Sequence, residues 1–425
     1  MTTFRDLGLI QPILKALADK NYTNPTPIQE QAIPLILQNK DILGCAQTGT
    51  GKTAAFAIPI IQIIEKKETH KSRPLLRALI VTPTRELAIQ IDENIDAYSK
   101  YTGLKHTVIF GGVKQGKQVS KLRNGVHILT ATPGRLLDLQ DQGYIDFDDL
   151  KLFVLDEADR MLDMGFIHDI KKLIRLLPER RQSLFFSATM PENISKLSKT
   201  ILNNPSRIEI TPASSTADTV KQEVYYTNMS TKRDMLVHLL KNEIDDQVLI
   251  FHRTKHGADK IVRFLKSKDI KSVAIHGNKS QNQRQAALKD FKKGKVNIMI
   301  ATDIASRGID IDKLKYVINF NIPNVPEDYV HRIGRTGRAG ESGKAISICE
   351  PEENIFLKDV MKLVGRKIEI IQDHPFPQTD KPMTEKEKKQ FNKEKEARKR
   401  EMIAARRAKM QGRGSSKQKK RSNYR

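Results

Sequence analysis

The chain has 425 residues, a length that suits two domains and a tail better than one domain. No uninterrupted apolar run approaches the ~20 residues of a membrane-spanning helix, and the N-terminus carries no secretory pattern. Two cysteines are too few for a disulfide framework or a thiol metal site, so we expect a cytoplasmic protein. The net charge of +24 favours a polyanionic partner, nucleic acid before membrane.

Short apolar runs alternate with longer helical patterns, first in residues 41–187 and again in residues 248–348. Such alternation predicts α/β architecture with parallel, doubly wound sheets. Between the two sets lies a small, polar, proline-broken stretch that is typical of a flexible linker. We therefore predict two domains, residues 1–208 and 219–370, joined by a linker at residues 209–218. The predicted strands are Asp41–Ala46, Ala78–Thr82, His127–Ala131, Leu152–Leu155, Ser183–Ser187, Val248–Phe251, Ser272–Ile275, Val296–Ala301, Tyr316–Phe320 and Lys344–Ile348.

Residues 371–425 read as a basic C-terminal tail. Within it, residues 381–425 hold 18 Lys and Arg against 5 Asp and Glu, so they carry +13 and the rest of the chain carries +11. Glu and Lys or Arg spaced four apart favour a helix in residues 384–410, whereas residues 411–425 have the composition of a disordered segment. We expect the tail to bind nucleic acid by releasing counterions; the alternative is a solubilising extension.

The first predicted strand runs into a glycine-rich turn. Gly49 and Gly51 allow the backbone to turn so that its N–H groups face phosphate oxygens. Lys52 supplies positive charge to the β and γ phosphates, and the Thr53 hydroxyl is a ligand for Mg²⁺. The Gly-Lys-Thr core after a strand therefore indicates a nucleoside triphosphate site more than a surface turn. The loop residues expected at the nucleotide are Ala46, Gln47, Thr48, Gly49, Thr50, Gly51, Lys52 and Thr53.

The fourth predicted strand ends in an Asp-Glu-Ala-Asp tetrapeptide, at the end of a strand where α/β sheets place catalytic groups. Asp156 would hold Mg²⁺, partly through water, and Glu157 would orient or deprotonate the attacking water. Asp159 lies too far along to reach the same metal, so we expect it to make a structural contact with Ser187 or His331. Alone, the tetrapeptide is equally well a charged loop; the phosphate loop favours the catalytic interpretation.

Further motifs accompany these two segments along the chain. They are Pro27-Ile28-Gln29, Pro83–Ala88, Gly111-Gly112, Thr132–Arg135, Ser187-Ala188-Thr189, Gln281-x-x-Arg284, Ala301–Asp310 and His331–Arg338. With these motifs the chain resembles the DEAD-box RNA helicases across about residues 1–370, and among them the bacterial RhlE-type enzymes. The resemblance implies two RecA-like domains in tandem, ATP and Mg²⁺ as cofactors, RNA as the substrate and an RNA-binding role for the tail.

On the nucleotide side, the resemblance implies an adenine pocket and contacts from the second domain. Gln29 would donate to and accept from the adenine edge, Tyr22 would stack on the base, and Phe4 would buttress the loop. Without Gln29, Tyr22 would be interpreted as a core aromatic. Asn21 departs from the family, which often has glycine there. The second domain would contribute two arginine fingers and a ribose contact, namely Arg335, Arg338 and Asp310.

The resemblance also implies a coupling relay and an RNA track. Ser187 and Thr189 would relay contact between the acidic motif and the second domain, together with Asp159 and His331. The track would contact phosphates and 2′-hydroxyls without reading bases. Any one of its arginines would otherwise be interpreted as a solvated surface charge. The expected RNA-binding residues are Thr84, Arg85, Gly111, Gly112, Thr132, Arg135, Arg284 and Thr302.

The expected function is that of an ATP-dependent RNA helicase that hydrolyses ATP when RNA binds, unwinds short duplexes locally and remodels RNA or RNA–protein complexes. Ribosome assembly and RNA decay are candidate roles, and a monomer is the expected state. Two alternatives stay open, an ATP-gated RNA clamp or annealing chaperone, and a DNA translocase on the same core. Dependence on the 2′-hydroxyl separates the latter from an RNA enzyme. An intact Glu157 argues against an inactive ATPase.

Overall fold

The computed structural model contains two α/β domains, each built on a seven-stranded sheet with parallel strand pairing. This architecture confirms the predicted fold class. The structure describes residues 2–47, 49–67, 73–210, 220–306, 314–337, 343–365, 368–382, 384, 387 and 390. Among these residues no helix combines the length and the apolar character that crossing a membrane requires. The predicted linker residues 211–218 and the tail residues 391–425 lie outside the described part.

Domain one alternates strands with helices after an N-terminal 3₁₀ turn, Phe4–Leu7. Its strands are β1 (Ile42–Cys45), β2 (Ala78–Val81), β3 (His106–Ile109), β4 (Ile128–Ala131), β5 (Leu152–Leu155), β6 (Gln182–Ser187) and β7 (Ser206–Glu209). Its helices are α1 (Gln11–Asp19), α2 (Pro27–Leu37), α3 (Lys52–Glu65), α4 (Arg85–Tyr98), α5 (Gly116–Arg123), α6 (Pro133–Asp141), α7 (Ala158–Asp163), α8 (Ile167–Leu176) and α9 (Glu192–Ile201).

Domain two repeats this alternation. Its strands are β8 (Val220–Tyr226), β9 (Val248–Phe251), β10 (Val273–Ile275), β11 (Ile298–Ala301), β12 (Tyr316–Asn319), β13 (Gly343–Cys349) and β14 (Glu369–Ile371). Its helices are α10 (Lys232–Asn242), α11 (Lys255–Lys266), α12 (Gln281–Lys292), α13 (Asp303–Ser306), α14 (Pro326–Ile333) and α15 (Asn354–Val364), with a 3₁₀ turn at Pro351–Glu353.

The two sheets have the same topology. The strand order is β3-β4-β2-β5-β6-β1-β7 in domain one and β10-β11-β9-β12-β13-β8-β14 in domain two, so each strand number rises by seven. The central strands β5 and β12 are buried along their whole length because helices cover both faces of each sheet. The two central strands are thus apolar in their interior, and the shared topology allows equivalent positions in the two domains to be compared directly.

All ten predicted strands are present, and four others, β3, β7, β8 and β14, were not predicted. Three of these four are edge strands, and β8 lies next to the edge strand β14. An edge strand is solvated along one side, so it tolerates polar residues such as the Ser-Arg-Ile-Glu of β7. Apolar runs therefore mark central strands better than edge strands. Cys45 and Cys349 each end a strand and form no disulfide; Cys349 is buried and Cys45 is half-buried.

Domain two continues past the boundary expected at its C-terminal end. After β14 the Phe376 ring packs edge-on against His238, with 6.2 Å between ring centroids. Further along, the side-chain oxygen of Asn228 accepts a hydrogen bond from the backbone N–H of Thr379 at 2.9 Å. Residues 371–380, which were expected to begin the tail, therefore pack on domain two.

These contacts predict where the chain can be shortened. A chain that ends at residue 382 should keep the thermal stability of the full chain, because Phe376 and the Asn228 contact are retained. A chain that ends at residue 370 should melt several degrees lower, since losing ~1–2 kcal/mol of aromatic burial shifts Tm by a few degrees in domains of this size. Thermal unfolding followed by circular dichroism measures both, and equal melting of the two truncated chains would contradict the extended boundary.

Candidate functional site

A cavity of about 580 Å³ opens between domain one and domain two. Domain one supplies the loop after α1, the glycine-rich turn, the inner face of α4 and the acidic motif, and domain two supplies Lys292 and Arg335. The cavity brings together most of the residues predicted for the nucleotide. These are Tyr22, Gln29, Gly49, Gly51, Lys52, Thr53, Asp156, Glu157 and Arg335. Thr48, Asp310 and Arg338 were also predicted and lie outside the described residues.

The glycine-rich turn between β1 and α3 has the backbone that its sequence requires. Gly49 and Gly51 have φ values of 86° and 93°, in the left-handed region where a side chain is strained. The Lys52 ammonium is buried and donates to the Ala46 carbonyl at 2.6 Å. The Thr50 hydroxyl closes the turn by donating to the Gln47 carbonyl at 2.8 Å. The turn is thus closed by its own polar groups and places its lysine at the cavity.

Gln29 connects the base side of the cavity to this turn. Its Nε2 donates to the Gly51 carbonyl at 3.1 Å, and its Oε1 accepts from the backbone N–H of Thr26 at 3.0 Å. A Cβ at position 51 would overlap Gln29 Nε2, and the positive φ also disfavours a side chain, so glycine is needed while Gln29 holds this contact. The Gln29 amide oxygen can accept a second hydrogen bond, and its nitrogen has a second hydrogen to donate. Both remain available to an adenine edge. Gln29 can therefore bind the base and fix the turn at the same time.

Tyr22 and Phe4 occupy different positions near the base side of the cavity. Tyr22 is 42% exposed and lines the cavity, with its ring centroid 6.2 Å from that of Tyr98. Phe4 is buried and lines a neighbouring groove behind Tyr22, so it supports the loop without facing the cavity. Asn21 has φ 57°, which explains why glycine also suits this position and why asparagine is tolerated.

Asp156 and Thr53 provide the oxygen donors suited to Mg²⁺. Burial raises the pKa of Asp156 to about 7, against the opposing charge of Lys52. A buried carboxylate in this condition is stabilised by a divalent cation, and Mg²⁺ needs few protein oxygens because it keeps water and phosphate ligands. Among the described residues no group of three His, Cys, Asp or Glu side chains could hold a metal by itself. The donor set therefore fits a magnesium ion that arrives with phosphates.

Glu157 is held by its backbone and by a buried partner. It has φ 55° at the start of α7, a strained conformation for a non-glycine residue. Its Oε2 accepts from Arg160 Nη1 at 3.1 Å, and both side chains are 5% exposed. None of the described residues donates a hydrogen bond to Oε1, so this atom can accept one from a water molecule in the cavity. No sequence motif pointed to Arg160, because this contact depends on the unusual turn at Glu157.

Asp159, the last acid of the motif, is hydrogen-bonded to Ser187 and Thr189. Oδ2 of Asp159 accepts from the Thr189 N–H at 2.9 Å and from the Thr189 hydroxyl at 3.0 Å. Ser187 Oγ accepts from the Asp159 N–H at 3.3 Å and donates to the Thr189 carbonyl at 2.7 Å. The expected contact with Ser187 is thus present, and none of the described hydrogen bonds of Asp159 involves His331. Ser187 is also hydrogen-bonded to the start of the glycine-rich turn, since its carbonyl accepts from the Ala46 N–H at 3.1 Å.

The predicted RNA residues of domain one gather where β2 and β4 end. Thr84 caps α4, its hydroxyl accepting from the Leu87 N–H at 3.3 Å. The Arg85 guanidinium lies against Gly112, where a Cβ would overlap Nη1. Gly111 lies beside the same guanidinium, Thr132 precedes α6, and Arg135 Nη2 donates to the Val113 carbonyl at 3.2 Å. Domain one therefore presents two arginines and two threonines at one edge.

Glu86 joins this edge to domain two. It is buried, and its Oε2 accepts from Arg284 Nη2 at 2.8 Å while its Oε1 accepts from Gln281 Nε2 at 2.9 Å. Gln281 Oε1 and Arg284 Nε are buried and make no hydrogen bond to any described residue. One carboxylate of domain one thus receives two side chains of domain two. The sequence motifs contain Glu86 but gave no reason to select it.

Equivalent positions in the two sheets identify a further threonine. Thr132 and Thr302 each follow the last residue of equivalent strands, β4 and β11. Thr84 and Thr254 each stand three residues after the equivalent strands β2 and β9, and both cap the next helix. Thr254 Oγ1 accepts from the Gly257 N–H at 3.1 Å. Thr254 was not selected from sequence, although its spacing from the strand repeats that of Thr84.

Comparison with known proteins gives consistent matches in both domains. Residues 26–197 match the DEAD/DEAH box helicase family, and residues 231–340 match the helicase conserved C-terminal domain. DEAD-box ATP-dependent RNA helicase RhpA of Helicobacter pylori is 42% identical over 370 residues, which cover 87% of this chain and 74% of the relative. DEAD-box ATP-dependent RNA helicase CshA of Geobacillus kaustophilus is 40% identical over 369 residues, covering 87% and 78%. The RhlE-type subgroup stays a prediction.

Solved structures agree with these matches. S. cerevisiae Dbp5 bound to RNA and ADP BeF3 superposes with a TM-score of 0.76 at 30% identity, covering 87% of this chain and 96% of that one. Mss116p bound to ssRNA and AMP-PNP gives a TM-score of 0.77 at 27% identity, covering 88% and 80%. The similarity extends over both domains, so it includes the cavity between them.

The buried pair at Glu157 leads to a prediction about turnover. Arg160→Met should lower kcat for ATP hydrolysis by ~10–100-fold with little change in KM, because a misplaced group at a reacting centre loses about that much rate. Arg160→Lys should retain more activity, and Arg160→Met should add nothing to Glu157→Gln. Steady-state kinetics measure these values, with Arg77→Met, which breaks a partly exposed pair with Asp149, as the control. A folded Arg160→Met protein with full kcat would contradict the assignment.

Proposed function

This chain belongs to the DEAD-box ATP-dependent RNA helicases, and on that premise we propose that it hydrolyses ATP in response to RNA and uses the cycle to separate short RNA duplexes locally and remodel RNA–protein complexes. The observation that carries the proposal is the cavity shared by the two domains, with Lys52 and Glu157 on one side and Arg335 on the other. Since hydrolysis would need groups from both domains, its rate would report their alignment.

Each side chain at the cavity has a proposed part in phosphoryl transfer. Lys52 and the N–H groups of the glycine-rich turn would bind the β and γ phosphates, while Glu157 would orient and deprotonate the attacking water. Thr53 and Asp156 would hold Mg²⁺, which supplies charge neutralisation at the phosphates. Arg335 would stabilise the charge that develops on the transferred phosphoryl group, together with Arg338. Asp310 would contact the ribose.

The base would be recognised through Gln29 and Tyr22. The Gln29 amide can pair with the two hydrogen-bonding groups on one edge of adenine, and the exposed Tyr22 ring offers a stacking surface. Because Gln29 also bonds the Gly51 carbonyl, binding of adenine would be sensed by the phosphate turn. The position of these residues on one cavity wall supports ATP as the nucleotide.

RNA would bind along the edge that carries the threonines and arginines. Short hydroxyls, guanidinium groups and close-approaching backbone suit phosphate and 2′-hydroxyl contacts, which position a strand without reading its sequence. Thr254 would join the predicted set of Thr84, Thr132 and Thr302 in this role. When Glu86 meets Gln281 and Arg284, the two halves of the track form one surface. A strand held there would be bent away from duplex geometry.

The lack of base reading in the proposed track bears on the cellular role. A surface that contacts backbone without reading bases suits many RNAs, so we retain ribosome assembly and RNA decay as the proposed settings, with the protein acting as a cytoplasmic monomer. The predicted tail would add sequence-independent affinity for the same RNAs. Copurification of the tagged protein with ribosomal precursors or with decay enzymes from growing cells would identify the setting.

The proposal is tested by ATP hydrolysis with matched nucleic acids. We expect strong stimulation by single-stranded RNA and little by DNA of the same sequence, because the track contacts 2′-hydroxyls. Glu157→Gln should keep ATP and RNA binding but lose ~10²–10⁴-fold in turnover. Equal stimulation by DNA would favour a DNA translocase. A wild-type chain that binds RNA with ATP but does not turn over would favour a clamp or annealing chaperone.

The Glu86 contact gives an independent test of domain closure. Glu86→Gln and Arg284→Met should each raise the RNA concentration for half-maximal ATPase activity by about 10-fold, since a buried charge loses its partner. The double variant should lose little more than either single variant, because the two residues act through one contact. Glu209→Gln, which breaks the exposed Arg207–Glu209 pair, is the matched control and should have no effect. Additive losses would show that Glu86 and Arg284 act separately.

A further inference from the structure

The positive charge of the two domains is concentrated in one segment of domain two. Residues 255–295 contain 12 Lys and Arg against 3 Asp, a net charge of +9, whereas all other positions in residues 1–380 together carry +2. The segment comprises α11, β10 and α12 with their connections. Solvated surfaces ordinarily mix both signs, so a single-sign segment of this size creates a field that attracts polyanions. We refer to residues 255–295 as the basic edge.

Most of this charge is exposed and unneutralised. Three basic residues of the segment form salt bridges within the described part of the chain: Lys279 with Asp259, Arg284 with Glu86, and Lys295 with Asp290 at 4.0 Å. The other nine basic residues form no salt bridge to a described residue, and all nine are exposed; one of them, Lys292, lines the nucleotide cavity. The exposed basic residues are Lys255, Lys260, Arg263, Lys266, Lys268, Lys271, Lys289, Lys292, Lys293 and Lys295.

The fold wraps these residues around the free side of the second sheet. β10 is the edge strand, and α11 and α12 cover opposite faces beside it. Ile261 of α11 packs in one core cluster with Leu236 of α10, whereas Phe291 of α12 packs in the cluster on the other face. The basic edge begins at the caps of α11 and α12, close to Thr254 and Arg284, so it is continuous with the RNA track. The helix α11, which is ~18 Å long, carries the basic edge away from the RNA track.

The chemistry of the basic edge favours the outside of a duplex over a single strand. None of its large apolar side chains is among the exposed ones, and the half-buried Phe264 ring has Arg233 and Lys268 over it. Base stacking on aromatic rings, on which single-strand binding depends, is therefore not offered. Lysines acting as point charges contact phosphates, which a duplex presents on its surface with the bases inside.

We propose that the basic edge binds the phosphate backbone of an RNA duplex that adjoins the single strand held in the track. The inference goes beyond the proposed function but rests on it, because the track brings the duplex to domain two. Holding the duplex there would raise its local concentration beside the point where one strand is bent. The basic edge should thus affect affinity for RNA with a duplex part and leave ATP chemistry unchanged.

The experiment compares two triple variants of the full chain. Lys260→Gln, Arg263→Gln and Lys266→Gln remove three charges from exposed positions on α11. The matched control, Lys171→Gln, Arg175→Gln and Arg180→Gln, removes three exposed charges from α8 of domain one and the turn between α8 and β6. Each protein is titrated over a range of salt concentrations with a short single-stranded RNA and with the same strand joined to a hairpin. The C-terminal tail is present in all proteins, so its contribution cancels.

For the hairpin-joined RNA, the α11 variant should bind about 10-fold more weakly at moderate salt, and its slope of log K against log salt should be shallower by ~2–3, at roughly 0.9 per lost phosphate contact. Its binding to the single strand and its ATPase rate at saturating single-stranded RNA should match wild type. The control variant should match wild type on both RNAs.

Three results would overturn the proposal. One is unchanged hairpin affinity and salt slope in the α11 variant, and another is an equal loss on both RNAs, which would indicate general attraction without a duplex site. The third is loss of binding to vesicles of acidic phospholipid with hairpin binding intact, which would make the basic edge a membrane surface. Failure of the proposed function is distinguished separately, since it would appear as a wild-type chain whose ATPase activity does not respond to RNA.

Discussion

Parallel strands covered by helices on both faces bury nearly all of their side chains, so the groups that can meet a ligand lie where the strands end. β5 is apolar and buried from Leu152 to Leu155, and Asp156 follows at once; β11 ends at Ala301, and Thr302 follows. Because parallel strands end at one edge of a sheet, these groups are gathered from distant parts of the chain. The repetition of one strand order in both domains then places threonines at equivalent positions on either side of the cleft. The track and the catalytic cavity thus both follow from sheet topology.

Helix α4 links the two sites that this topology creates. Its first turn carries Arg85 at the track and Glu86 at the contact with domain two, and its later turns present Gln90 and Glu93 to the nucleotide cavity. A helix of 14 residues moves as a rigid rod because each turn is hydrogen-bonded to the next. In the proposed mechanism, closure of the domains is the two-state element, and α4 would let RNA and nucleotide bias it together. RNA-dependent hydrolysis would then need no additional regulatory domain.

The sequence predicted best where chemistry restricts the choice of residue. Glycines at the phosphate turn and carboxylates after β5 have few substitutes, so most of the cavity was anticipated, together with nine of the ten interior strands and the edge strand β10. The other three edge strands, β3, β7 and β14, were missed because solvent permits polar residues along one side. The interior strand β8 was also missed. Glu86 and Arg160 were missed for another reason: each acts through a partner that only the folded chain supplies, Arg284 in the other domain and Glu157 at a left-handed turn. Thr254 alone had a local signal, its spacing after a strand.

The cavity concentrates charge that the fold only partly neutralises. Burial raises the pKa of Asp156 from 3.8 to about 7, so its favourable contribution to stability is complete below the unfolded pKa and is lost as pH rises through 7. At neutral pH and above, the folded state bears most of the free-energy cost of ionising the buried Asp156 carboxyl. Glu157 adds backbone strain. Lys52 and Arg160 offset part of it from domain one. In the proposed mechanism, Mg²⁺ bound at Asp156 and Arg335 of domain two would offset the rest. Because the nucleotide phosphates add negative charge of their own, closure around Mg²⁺–nucleotide would be favoured by bringing Arg335 to a site rich in negative charge.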